Sequence, residues 1–92
     1  MIRIALIGII VEDTGKSAEI NSLLHEYGEF IIGRMGVPHR ERKLSVISVM
    51  LDAPGDVINT LSGKLGMLDG VSAKTVYSKG EFPTGKEDMK SL

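Results

Sequence analysis

Residues 2–11 read Ile-Arg-Ile-Ala-Leu-Ile-Gly-Ile-Ile-Val, an apolar run interrupted only by Arg3 and Gly8. Successive side chains of a strand point to opposite faces of its sheet. Here both sets are apolar: Ile2, Ile4, Leu6 and Ile10 on one side, Ala5, Ile7, Ile9 and Val11 on the other. Such a strand needs cover on both faces and belongs in the middle of a sheet. The run stops at Glu12-Asp13-Thr14-Gly15, where Asp13 or Thr14 can cap a helix. Ile20, Leu23, Leu24 and Tyr27 follow at helical spacing, and Gly28 suits the position just past a helix end.

Residues 29–38 form a second extended run with Phe30, Ile31, Ile32, Met35 and Val37, broken by Gly33, Gly36 and Pro38. Proline cannot donate to a strand ladder and glycine weakens pairing, which points to an edge strand with room for a bulge. After the polar stretch 39–43, residues 44–51 are again apolar in both registers. Leu44, Val46 and Met50 oppose Ile47, Val49 and Leu51. Asp52-Ala53-Pro54-Gly55-Asp56 marks a helix start, proline being tolerated in a first turn. Val57, Ile58, Leu61, Leu65 and Leu68 then recur at helical spacing as far as Asp69-Gly70. Residues 71–77 read as a fourth, more polar strand. Periodicity is lost from Gly80, so one domain is expected over 1–79 and a surface tail over 80–92.

The order is βαββαβ, an α+β, ferredoxin-like two-layer sandwich with an antiparallel sheet of strand order 4-1-3-2. The two doubly apolar strands, first and third, fall in its centre. Two helices cover one face and leave the other as an apolar patch. A second subunit is expected to cover that patch, giving a homodimer or homotetramer through the sheet. Ile7 and Ile9 are interface positions if their register is the one facing away from the helices.

Composition narrows the function classes. A formal net charge of −1 argues against direct DNA binding. With no cysteine, disulfides, thiolate metal sites and thiol catalysis are excluded. No apolar run approaches the ~20 residues a membrane span needs, and acidic Glu12-Asp13 follows the first run where a leader would have its cleavage site. A cytoplasmic protein with no membrane association is expected. Aromatic residues make up 4% of the chain, too few for stacking platforms.

The punctuation of this βαββαβ chain resembles the ACT-like regulatory modules. Asp13-Thr14-Gly15 stands where those modules have an acidic residue followed by Pro-Gly. Tyr27-Gly28 resembles their helix-ending aromatic-Gly step, and Leu65 with Asp69-Gly70-Val71 their exit into the last strand. A closer resemblance is to a small stand-alone family of candidate iron-only hydrogenase system regulators. It is carried by Ile10-Val11-Glu12-Asp13, Arg34-Met35-Gly36-Val37-Pro38, Leu61-Ser62-Gly63-Lys64-Leu65-Gly66, Gly70-Val71 and Lys74-Thr75-Val76. That resemblance implies an ACT-like fold and a regulatory role without a defined ligand. In ACT-like modules effectors commonly lie near the loop after the first strand, which maps here to Asp13, Thr14, Gly15 and Lys16. The free N–H groups of the following helix could receive a carboxylate there. The fold also resembles the sensing half of nickel-responsive repressors. This chain has none of their cysteines, offers only His39 near the corresponding place, and has no ribbon-helix-helix segment ahead of its first strand.

Other candidate chemistry is sparse. Gly15-Lys16-Ser17 opens a helix after a strand, as a phosphate-binding P-loop does, but Ile10 occupies the position of that motif's first glycine. A helix-start turn is the better reading. Lys64 in Gly63-Lys64-Leu65 fails the same motif and reads as a solvated helix residue. Asn21 and His25 lie four apart on one helix face with no evident third ligand. His39, beside Pro38, is a weak metal or pH-sensing candidate where subunits meet. Arg34, inside an otherwise apolar strand, must reach solvent, a carboxylate on another subunit, or an anionic effector. No nucleophile has an evident base and orienting acid, so neither catalysis nor a cofactor is expected. Two alternatives stand beside effector sensing: a metal-responsive module, and a structural domain binding a protein partner through the tail and edge strands.

Overall fold

A computed structural model of the chain describes residues 2–82. Four strands, β1 (Ile2–Val11), β2 (Ile31–His39), β3 (Leu44–Pro54) and β4 (Val71–Tyr77), form one sheet. Two helices, α1 (Ser17–Glu26) and α2 (Gly55–Gly66), follow β1 and β3. The sheet order is β2-β3-β1-β4 with every neighbour antiparallel, so the α+β ferredoxin-like topology expected of the pattern is the one present. The doubly apolar strands β1 and β3 are indeed central. They pair along the whole of β1, from Ile2 opposite Pro54 to Val11 opposite Ser45.

Both helices lie on one face, and the odd-numbered register of β1 and β3 faces them. Ile7 and Ile9 are fully buried, together with Val49, Leu51 and Ala53 from β3. Ile20 and Leu24 from α1 and Ile58, Leu61 and Leu65 from α2 close the core above them. This corrects one expectation. Ile7 and Ile9 belong to the domain's own interior, not to an interface, because the right-handed crossovers bring both helices onto their side. The even register is the open one: Leu6 is 40% and Ile10 44% exposed.

Helix ends are built from turns, not from a continuous start. A 3-10 turn at Thr14–Lys16 leads into α1, and a second at Gly28–Phe30 leads from its end into β2. The exit of α2 packs against the exit of β1. Gly70 has a positive φ of 75°, and its carbonyl accepts from the N–H groups of Glu12 at 2.7 Å and Asp13 at 3.3 Å. Lys64, expected to be solvated, is exposed and forms a 3.5 Å ion pair with Glu26 that joins α2 to α1.

Ile2 and Phe82 exchange backbone hydrogen bonds of 2.8 and 2.7 Å, which ties the chain as far as Phe82 to the sheet. Residues 83–92, most of the expected tail, lie outside the described residues. Among the described residues no helix is long and apolar enough to cross a membrane.

Candidate functional site

The edge strand β2 holds the feature that shapes the site. Ile31 pairs with Leu51, but Gly33 pairs with Met50, so Ile32 is an extra residue in a β-bulge. Past the bulge the alternation is reversed. Arg34, Gly36 and Pro38 pair with Val49, Ile47 and Ser45 and so lie on the helix-facing side. Met35 and Val37 are turned to the open face.

That reversal opens a cleft. On the side where β1 and β3 present branched aliphatic residues, β2 past the bulge presents an arginine, a glycine and a proline. With no large apolar side chain from β2 to meet, α1 leaves a cavity of about 200 Å³ beneath its edge. Val11, Ile20 and Ile47 form its apolar wall. Ser17 and Ser45 add hydroxyl groups, and Arg34 and Asn21 stand at its rim. The Arg34 guanidinium donates one hydrogen bond to the Asn21 side-chain oxygen at 2.9 Å. Among the described residues its other N–H groups have no side-chain partner, and a planar fork suits a carboxylate.

The turn after β1 is occupied by its own contacts. The Asp13 carboxylate accepts from the Gly15 N–H at 3.0 Å, and the Lys16 N–H donates to the Asp13 carbonyl at 3.0 Å. Ser17 Oγ donates to the Thr14 carbonyl at 2.9 Å, and the Lys16 ammonium lies 3.6 Å from Glu19. Asp13, Thr14, Gly15 and Lys16 thus bridge Val11 and Ser17, two residues that line the cleft, while Arg34 reaches it from the opposite side. Asp13→Ala is expected to lower stability by about 1 kcal/mol, the usual cost of a lost cap. Urea denaturation measures it. A loss below the error of that measurement would mean the cap contributes nothing.

In the sequence Asn21 reads only as a partner for His25; in the fold its side-chain oxygen accepts from Arg34 instead. Among the described residues no three His, Cys, Asp or Glu side chains gather where they could hold a metal, and this includes His25 and His39. His39 pairs with Leu44 at the far end of β2, on the open face. The contributions of Ser17, Gly36 and Ser45 have little signal in the sequence. A strand with small residues two apart beside an arginine is the one available hint.

The family model of the TM1266-like proteins, described as "Iron-only hydrogenase system regulator, putative", matches residues 3–75. The chain belongs to this family. The structure of uncharacterized protein TM1266 from Thermotoga maritima is 41% identical over 86% of this chain and all of that one, with a TM-score of 0.81. The TM1266-like chain also shares its fold with more distant proteins. The C-terminal domain of MgtC from Mycobacterium tuberculosis aligns at TM-score 0.66 and 10% identity, over 88% of this chain and 93% of that domain. A formyltetrahydrofolate deformylase from Pseudomonas putida KT2440 aligns at TM-score 0.58 and 11% identity, over 79% of this chain but 28% of the deformylase. No curated protein matches the sequence. Family membership covers both the bulged strand and the cleft, since residues 3–75 include all the lining positions.

Proposed function

We propose that this TM1266-like protein is a non-catalytic cytoplasmic regulator of an iron-only hydrogenase system. It assembles through its open sheet face and senses a small effector near the subunit interface. The observation that carries the reading is the apolar character of that face. Leu6, Ile10, Met35, Val37, Val46 and Val76 come from all four strands and are all exposed there. Exposed aliphatic side chains grouped on one sheet face are characteristic of a surface that meets a partner. A second copy is the natural occupant, because a two-fold axis through a flat apolar sheet buries the same rows from both subunits. The family description supports the regulatory role and the hydrogenase connection.

The effector contacts in this reading are Arg34 and the turn Asp13, Thr14, Gly15 and Lys16. Arg34 lines the cleft, the turn joins two residues that do, and Val37 belongs to both the cleft lining and the open face. Occupancy of the cleft is therefore one strand away from the packing of the second subunit. Regulation passes to a protein partner rather than to DNA, in keeping with the near-neutral charge of the chain. Measurement of the native mass by light scattering tests the assembly. Two or four times the 9.9 kDa chain mass is expected. A single-chain mass at micromolar concentration would remove the interface. The hydrogenase connection is tested by deleting the gene in its host, where iron-only hydrogenase abundance is expected to change.

A further inference from the structure

We infer that the cleft between α1 and the bulged part of β2 is a binding site for a short aliphatic monocarboxylate. The inference rests on the effector-sensing reading and names the chemical class of the effector. Gly36 is the first observation. It lines the cleft, yet nothing in the fold requires a glycine there. Its φ is not positive, and a Cβ built on it would meet only Ile47 Cγ1, at an ordinary contact distance of 3.8 Å. The chain thus keeps open a space that the Cβ of an alanine could enter at ordinary contact distance. Gly36 is exposed on the edge strand, so this space opens to solvent and a ligand can enter it from outside.

The lining selects the ligand. Arg34 is the one charged group among the described lining residues, and its planar fork has donors beyond the one given to Asn21. One fixed positive charge matches one negative charge, which disfavours dianions such as phosphate monoesters. No Asp or Glu lines the cleft among the described residues. An α-amino acid would bring its ammonium group into a site with no carboxylate to pair it. The same lack disfavours divalent cations. Val11, Ile20 and Ile47 provide an apolar wall for an alkyl group. The volume of about 200 Å³ suits a small acid with a short alkyl body. A branched short-chain acid has the right size, charge and apolar body.

The test compares three probes with one branched carbon skeleton on the full chain: isovalerate, neutral isovaleramide and valine. Thermal shift and titration calorimetry are expected to show saturable binding of isovalerate alone. Arg34→Gln, at an exposed side chain, is expected to weaken that binding roughly ten- to hundredfold while leaving the ligand-free melting temperature nearly unchanged. Gly36→Val is expected to block binding by filling the cleft, with circular dichroism like that of the parent. Failure of isovalerate to bind would overturn the inference, as would equal binding of valine or isovaleramide. So would retention of full affinity in both variants. These outcomes are separable from those of the assembly measurement. An oligomer that ignores isovalerate loses only the ligand class, whereas a monomer that binds it loses only the interface.

Discussion

Leu6→Asp is expected to yield a folded single chain, while Ile7→Asp, one residue along the same strand, is expected to yield no folded protein. The contrast follows from the pleat. Leu6 lies between Met50 and Val76 on the open face and is 40% exposed. In an isolated chain an aspartate there stays hydrated, and its cost is limited to about 1 kcal/mol of strand preference. In an assembly packed through that face it is desolvated opposite apolar side chains, a penalty of several kcal/mol per ion that the interface cannot repay. Ile7 lies between Val49 and Thr75 beneath the helices and has no exposure at all. An unpaired carboxylate there costs the same penalty within the fold, in addition to the lost burial of the isoleucine. Roughly 5–14 kcal/mol is the whole stability of a domain this size. Light scattering and far-ultraviolet circular dichroism read the two variants together. A fully oligomeric Leu6→Asp would refute the open face as the interface. A well-folded Ile7→Asp would refute the assignment of the two registers.

The topology and the central strands were readable from the chain because they depend on local regularities. Glycine and proline punctuate the elements, and the aliphatic positions keep period two in the strands and helical period between them. Which register of β1 faces the helices was not readable, since Ile7 and Ile9 are matched in hydrophobicity by Leu6 and Ile10. Handedness of the crossover decides it, and that is a property of the whole sheet. The cleft was hidden for a different reason. Counted by strict alternation from Ile31, Arg34 falls on the open face and Met35 and Val37 in the core. One extra residue, Ile32, reverses all three. A bulge is a discontinuity of register, and neither side of it looks unusual alone. The same bulge enlarges the apolar open face and carves the polar-rimmed cleft behind it. Arg34 was recognisable as a misplaced charge, whereas its partner Asn21 lies 13 residues away and becomes its neighbour only when α1 folds over the sheet.

Gly70→Ala is expected to be the most damaging single-methyl change outside the core. Gly70 sits at φ 75°, in the left-handed region where a Cβ crowds the backbone. An alanine there costs about 1–2 kcal/mol before any neighbour is considered. The neighbour makes it worse. The new Cβ would fall 2.6 Å from Asp13 Cβ and 3.2 Å from the Asp13 backbone nitrogen, so the end of β1 has to move. That movement disturbs the hydrogen bonds from Glu12 and Asp13 to the Gly70 carbonyl and the Asp13 cap of the following turn. Together the losses come to about 3 kcal/mol, a large share of the total stability. Urea denaturation measures the loss. A change below 1 kcal/mol would mean that the close approach of Gly70 to Asp13 is not maintained. The position matters beyond stability, because the turn it supports runs directly between Val11 and Ser17 of the cleft wall. If ligand binding needs that wall held in place, Gly70→Ala weakens binding of isovalerate even at temperatures where the protein remains folded. Retained affinity in the folded variant would place the turn outside the binding machinery and leave Arg34 to act without it.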